Sequence, residues 1–125
     1  MIVLTFQPRF APLVESGAKP HTIRGERKRP IQPGDMLSLR QWTGRPYMSP
    51  QRVLRPPLPC LSVTAVAVSW SNTGRPIHLA GDLLLPAQAE ALAIADGFAS
   101  SADMMAWFDR VHGLPFHGVL IRWAP

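Results

Sequence analysis

The chain has 125 residues, enough for one domain with a single hydrophobic core. Hydrophobic residues make up 46% of it, which excludes a disordered chain. The 13 Lys and Arg outnumber the 8 Asp and Glu, giving a net charge of +5. This surplus favours a polyanionic partner such as nucleic acid, although solubility alone would also account for it.

Membrane, secreted and metal-cluster classes are also disfavoured. No apolar run approaches the roughly 20 residues that span a bilayer, and the N-terminal residues lack the pattern of a secretory signal. The single cysteine, Cys60, cannot form an internal disulfide or a cysteine-based metal cluster. The four histidines lack a close ligand spacing. We therefore expect a cytoplasmic protein with no membrane partner, no metal and no cofactor.

Short elements separated by turns are predicted in the first third of the chain. Residues 2–6 are apolar and β-branched and predict a strand. A short helix follows, with Pro8 suited to its first turn and Gly17 placed to end it. Residues 22–24 are predicted to be extended, and residues 36–42 form a second clear strand after a Pro-Gly-Asp turn.

A long loop and then four regular elements are predicted in the remainder. Residues 43–59 are rich in proline, glycine and arginine, which indicates a loop insertion. Residues 60–70 form the longest predicted strand, and both of its faces are apolar. The last three elements are a helix over 86–94, a helix that begins at Ser100 or Ser101 and ends at Gly113, and a strand over 116–123.

This order of elements predicts an α+β fold that is mainly β. Strands at both termini are expected to pair with each other and to close a small mixed β-barrel, with about three helices packed on its outside. Neither an internal repeat nor a domain boundary is evident, so residues 1–125 are predicted to form one domain.

The segment from Glu15 to Asp35 concentrates basic residues and turn signals. Pro20 biases Lys19 away from helical geometry. Thr22 and Arg24 share one face of an extended segment, whereas strict alternation places Lys19 on the other face. The turn at Pro20 must therefore re-aim Lys19 if both side chains are to line one pocket. Otherwise the segment is a solvated basic loop.

The same segment resembles the ASCH domain, a branch of the PUA-like superfamily, through its SG-x-K-x-x-TIR core and the PGD that follows. The later Asp96-Gly97-Phe98, the helix ending WF…HG and the final F-x-GVLIRW look like the C-terminal half of phage and bacterial members. The resemblance implies a PUA-like β-barrel with a cleft lined by the Lys-Thr-Arg segment. It also implies a modified nucleoside or RNA as the partner, with residues 43–59 as an insertion.

Some small ASCH proteins are amidohydrolases that deacetylate N4-acetylcytidine with a lysine, a threonine and a glutamate. The resemblance therefore implies that Lys19 and Thr22 are catalytic and that Asp96 replaces the glutamate, with Glu90 as the alternative acid. Thr22 would attack the acyl carbon or orient a water, and Lys19 would act as the base when neutral. Asp96 would protonate the leaving amine or hold the base and the substrate.

Three residues are predicted to bind the substrate. Arg24 would bind a carbonyl or stabilise the oxyanion, and His21 lies next to Thr22 in sequence. Trp42 ends a predicted strand at the mouth of a loop, where its ring can face a base.

RNA binding, with or without ribonuclease activity, is the alternative function. In that case Arg27, Lys28 and Arg29 would form a rim that contacts phosphates. A ligand-binding module without catalysis is a third interpretation. In each case we expect a monomer.

Overall fold

Eight strands and three helices make up the part of the chain that the computed structural model describes, residues 1–71 and 75–125. The strands are β1 (Ile2–Thr5), β2 (His21–Arg24), β3 (Met36–Trp42), β4 (Gln51–Val53), β5 (Leu58–Val68), β6 (Ile77–Leu79), β7 (Asp82–Leu83) and β8 (Phe116–Trp123). The helices are α1 (Ala11–Ser16), α2 (Pro86–Ala95) and α3 (Ser101–Val111). The predicted α+β class, mainly β, is confirmed.

The strands form one mixed sheet with β5 and β8 at its centre. β8 is antiparallel to both β2 and β5. β5 also pairs with β3 at its start and with β6 at its end, and β1 runs parallel to β3. β4 and β7 are added at the edges, on β3 and β6 respectively. Within the described ranges the sheet does not close on itself, and β1 and β2 lie at opposite ends of the path β1-β3-β5-β8-β2.

The prediction that the first and last strands pair is wrong. β1 pairs with β3, and β8 is occupied on both sides by β2 and β5. The reason is long-range register, because β5 is long and apolar enough to match all of β8 from Phe116 to Trp123. The rings of Phe6, which follows β1, and Trp123, which ends β8, lie 6.0 Å apart.

The predicted loop over 43–59 is wrong in its second half. β4 pairs with β3 there, and β5 already begins at Leu58. Polar contacts stabilise β4 where hydrophobic alternation is missing. Arg40 Nη1 donates to Gln51 Oε1 at 3.2 Å, and Arg52 Nη1 donates to Glu15 Oε2 at 2.9 Å. Such contacts leave no periodic apolar signal in the sequence.

The helices end close to where the sequence predicts, but α1 begins later. Pro8 lies in the turn that precedes α1, and Pro12 is the proline in its first turn. Ser100 is the cap of α3, and its Oγ accepts from the backbone N–H of Asp103 at 3.0 Å. No helix in residues 1–71 and 75–125 is long and apolar enough to cross a membrane.

An aromatic cluster joins the helices to the sheet and to each other. The Phe108 ring on α3 lies 5.0 Å from the Phe116 ring at the start of β8. The Phe10 ring, just before α1, lies 5.3 Å from the Phe98 ring in the α2–α3 connection. Because these rings are buried, the cluster packs the start of α1 against the α2–α3 connection and packs α3 against the start of β8.

We expect Gly118→Ala to destabilise the fold strongly. A Cβ at this position would lie 2.2 Å from the Arg24 carbonyl oxygen, which is backbone and cannot move without disturbing the pairing of β2 with β8. The expected loss in the free energy of unfolding is about 1–3 kcal/mol or more, measured by urea denaturation. Gly25→Ala is the control, since a Cβ there meets nothing within 4 Å. Equal stability of the two variants would contradict this account of β8.

Candidate active site

A cavity of about 290 Å³ lies where the two ends of the sheet path approach each other. The end of β1 (Thr5) and β2 (Thr22–Arg24) form one side, and the α2–α3 connection and the C-terminal half of α3 form the other. Its volume is at the small end of the range of roughly 300–1,000 Å³ typical of ligand sites. The cavity therefore has room for one small planar group.

Aromatic rings make up much of the cavity wall. Phe10, Phe98 and Trp107 contact one another in edge-to-face or tilted geometry, with centroids 5.3–5.7 Å apart. Phe6 lines the side near β1. Such a wall lowers the local dielectric and strengthens the interactions of any polar group that faces the cavity.

Lys19, Thr22 and Arg24 all line this cavity. The turn at Pro20 therefore brings Lys19 to the side of Thr22, although strand alternation alone would separate them. The Lys19 N–H donates to the Leu13 carbonyl at 2.9 Å, which ties the turn back to α1.

Lys19 and Asp96 form a buried ion pair, and each residue is only 3% exposed. Lys19 Nζ donates to Asp96 Oδ1 at 2.7 Å and to the Asp96 carbonyl at 2.5 Å. The next residue, Gly97, has φ +103 and a Cβ there would lie 2.8 Å from the Phe10 ring. The Asp96-Gly97 turn thus requires glycine in order to present both oxygens to Lys19.

His21 lies behind this pair, and it is absent from the residues that line the cavity within the described ranges. Its Nδ1 lies 3.0 Å from Asp96 Oδ1, and the residue is buried. The substrate-binding role of His21 stays a prediction, since the contact that the structure shows for its ring is with Asp96. With the proton on Nδ1, the ring donates to the carboxylate and fixes its orientation.

Thr22 and Arg24 form a second hydrogen-bonded pair. Arg24 Nε donates to Thr22 Oγ1 at 3.1 Å, and Arg24 Nη2 donates to the Thr5 carbonyl at 2.7 Å. The guanidinium carbon also lies 4.8 Å from the centre of the Phe6 ring. Because Arg24 occupies an acceptor position of the Thr22 oxygen, the hydroxyl proton of Thr22 can be donated to another group.

The cavity holds Lys19 and Arg24 against the single carboxylate of Asp96. Burial lowers the pKa of Lys19, Asp96 opposes that shift, and the charge of Arg24 lowers the pKa further. Burial likewise lowers the pKa of Arg24 to about 10. The excess positive charge suits a carbonyl oxygen that becomes negative during a reaction.

His112 and Trp107 are cavity residues that the sequence did not indicate. Burial first, and then the charge of Arg24, lower the pKa of His112, which favours its neutral form. The His112 ring lies 5.5 Å from the Phe108 ring, four residues earlier on α3. This i, i+4 spacing was the available signal, but a lone histidine at a helix end carries little specificity.

Glu90, the alternative acid, lies elsewhere. Its Oε2 accepts from the backbone N–H of Ser101 at 3.0 Å and from the Ser101 hydroxyl at 2.8 Å. These hydrogen bonds lower the pKa of Glu90. The structure thus places Asp96, and not Glu90, beside Lys19, while Glu90 joins α2 to the start of α3.

The remaining predicted residues lie around the cavity. Trp42 lines a neighbouring cavity that shares Thr5, Phe6 and Gln7 with the first one. The rim residues Arg27, Lys28 and Arg29 are exposed.

Comparison of the chain with protein family models, with curated proteins and with solved structures found no match. In residues 1–71 and 75–125, no three His, Cys, Asp or Glu side chains are grouped so that they could hold a metal ion. The chemistry of the cavity therefore has to be derived from its own residues.

The opposing effects on Lys19 can be separated by substitution. Asp96→Asn removes the charge that raises the pKa of Lys19, so this pKa should fall further. Arg24→Gln removes a cation that lowers it, so the pKa should rise. NMR titration of ¹³Cε-labelled lysine measures both effects, because the chain has only two lysines and the exposed Lys28 provides a reference signal. An identical Lys19 titration in all three proteins would contradict the assigned causes.

Proposed function

We propose that the protein is an amidohydrolase that removes the acyl group from N4-acylated cytidines such as N4-acetylcytidine. The observation that carries the proposal is the meeting of Lys19 and Thr22 in one small apolar cavity, with Asp96 on the lysine and Arg24 on the threonine. The substrate class comes from the resemblance of the Lys19–Arg24 segment to the ASCH domain.

The fold assignment belongs to the same proposal. The cavity occupies the gap between β1 and β2, which is bridged by the bond from Arg24 to the Thr5 carbonyl. We take this gap to be the cleft of a PUA-like barrel, whose wall is the β1-β3-β5-β8-β2 path.

Neutral Lys19 starts the reaction by accepting a proton from the Thr22 hydroxyl, or from a water that this hydroxyl orients. The oxygen so activated attacks the acyl carbon, and the carbonyl oxygen becomes an oxyanion beside Arg24. The C–N4 bond then breaks, and the departing amine takes the proton from the Lys19 ammonium. If Thr22 was the attacking group, water hydrolyses the acyl-threonine and releases the acid.

Asp96 has the task of holding the base in this scheme. Its Oδ1 already receives Lys19 Nζ and His21 Nδ1, so this oxygen is engaged before a substrate arrives. The carboxylate also raises the pKa of Lys19 against the effect of burial. A lysine whose pKa burial lowers and a carboxylate partly restores suits a base that accepts the first proton and returns it to the leaving amine.

The aromatic wall supports a planar ligand. An acylated cytosine is flat and largely apolar on its faces, and the rings of Phe10, Phe98 and Trp107 offer edges and faces for contact. The small volume admits the base and its acyl group while the sugar stays at the opening.

We expect purified protein to release cytidine from N4-acetylcytidine. Lys19→Met and Thr22→Val should each lower kcat/KM at least 100-fold, because the first removes the base and the second the hydroxyl. Chromatography of cytidine measures the rate, and Thr64→Val on β5 is the matched control for loss of a threonine hydroxyl. Mass spectrometry for acyl-Thr22 distinguishes direct attack from water attack. Undiminished turnover in both variants would remove these residues from the mechanism, and binding without turnover would leave a ligand-binding module.

RNA binding is the second candidate, and it is favoured by the exposed rim. In the described part of the chain the side chains of Arg27, Lys28 and Arg29 have no hydrogen-bonding or ion-pair partner. The charge of Arg27 also lowers the pKa of Arg24, which puts the rim close to the cavity. Unpaired cations beside a site for a base suit the phosphates of a nucleic acid.

If the rim contacts RNA, its neutralisation should reduce the salt dependence of binding. Filter binding of a single-stranded RNA at several salt concentrations gives the slope of log K against log salt. Changing Arg27, Lys28 and Arg29 to glutamine should reduce this slope by about 0.7 for each phosphate that the variant no longer binds. Arg55→Gln with Arg122→Gln is the control, since these arginines border a different cavity. An unchanged slope in the rim variant would count against this role.

A further inference from the structure

A second cavity, of about 360 Å³, opens beside the first. The two share Thr5 at the end of β1 and the next two residues, Phe6 and Gln7, so they adjoin along this edge. The far side of the second cavity is formed by Trp42 and by the loop that follows it.

The half-buried Trp42 and the exposed Tyr47 form an aromatic ledge on that far side. Their ring centroids are 5.1 Å apart, and the Tyr47 side chain belongs to a residue that is 87% exposed. The neighbouring Met48 is also largely exposed. Large apolar groups concentrated at one exposed place indicate a surface that contacts a ligand.

The backbone holds Tyr47 in this position at a cost. Its φ is +63, a region that a bulky side chain seldom adopts, and such strain persists only where surrounding contacts impose it. Thr43 supplies two of these contacts, because its N–H and its hydroxyl donate to the Pro50 carbonyl at 2.9 and 2.8 Å. Ser49 Oγ accepts from the Gly44 N–H at 3.0 Å and donates to the Arg45 carbonyl at 2.9 Å. The ledge is therefore pre-organised.

We propose that this ledge stacks the nucleobase next to the acylated cytidine, so that the substrate is a single-stranded polynucleotide and not a free nucleoside. The inference rests on the proposed function, because the first cavity is taken to hold the acylated base. Adjoining cavities with a shared edge match adjoining nucleotides of one strand. Base stacking on aromatic side chains is tolerant of sequence, which suits a site that reads only the modified base.

The polar groups near the ledge are better suited to binding a single-stranded polynucleotide than an apolar peptide. Arg45 lies in the loop that carries Tyr47, and in the described ranges its guanidinium has no partner. Gln7 is exposed on the shared edge, and its side-chain amide also lacks a partner there. A cation and an amide flanking an aromatic surface can contact a phosphate and a base edge. The net charge of +5 acts in the same direction.

Binding of fluorescein-labelled decauridylate at low salt tests the ledge without requiring catalysis. Fluorescence anisotropy should show Tyr47→Ala binding about tenfold more weakly than the wild type, while Tyr47→Phe retains affinity because the ring remains. Trp70→Ala is the matched control, since Trp70 is 64% exposed and lies outside both cavities. The proposal is overturned if decauridylate fails to bind, or if Tyr47→Ala and Trp70→Ala bind it equally well.

Turnover separates this inference from the proposed function. We expect a higher kcat/KM for a trinucleotide with central N4-acetylcytidine than for the nucleoside, and a roughly tenfold loss of that advantage in Tyr47→Ala. Equal losses for both substrates would mean that the ledge contacts the nucleoside itself, which overturns the proposal. If neither substrate is hydrolysed while decauridylate binding still depends on Tyr47, the proposed function fails and the ledge remains a base-stacking site.

Discussion

The ion pair between Lys19 and Asp96 is the interaction on which the site depends. It joins the turn after α1 to the turn after α2, two points 77 residues apart in the chain. Both groups are almost completely buried, so each would be costly to hold without the other. Removing one partner of such a pair typically destabilises a protein by about 3–5 kcal/mol. The packing of α1, β2 and the α2–α3 connection around the cavity thus requires both charges of this ion pair.

Stability alone is a poor explanation for that pair. Buried ion pairs can often be replaced by apolar residues of similar volume without loss of stability. One side of Lys19 is apolar, since its ammonium lies 5.2 Å from the centre of the Phe10 ring. Burial lowers the pKa of Lys19 and one carboxylate partly restores it, and this combination suits the proton transfer that we propose for Lys19.

The local sequence pattern was sufficient to predict several of the longer helices and strands. The apolar runs of β3 and β8 allowed their bounds to be predicted correctly, and the Ser100 cap located the start of α3. The short strands β4, β6 and β7 carry no alternation over two or three residues, so they could not be predicted. The strands that pair with β8 could not be predicted either, because a strand pattern in the sequence does not specify which distant strand will pair with it.

Some residues of the site could likewise be predicted from local sequence, whereas others could not. Lys19, Thr22 and Arg24 are neighbours in sequence, so their grouping needed only the turn at Pro20. Asp96 came from a resemblance alone, and its contact with Lys19 follows from long-range packing. Tyr47 lies in a segment whose proline and glycine content indicated only a loop. Backbone strain and ring contacts are properties of three-dimensional structure, and these alone distinguish a stacking surface from an ordinary turn.

The two proposals assign different tasks to the two cavities, and the cavities differ in their walls. The proposed role of Lys19 as a base requires a lowered pKa, and the burial of Lys19 beside the aromatic wall lowers it. The base next to the modified one in a polynucleotide must bind and dissociate with little rearrangement of the protein. An open surface such as the Trp42–Tyr47 ledge permits this. Phe6 lies between them, packed against Arg24 in the first cavity and lining the second. Under both proposals, a base on the ledge adjoins Phe6, which packs against Arg24, so that strand binding and acyl transfer would share this edge.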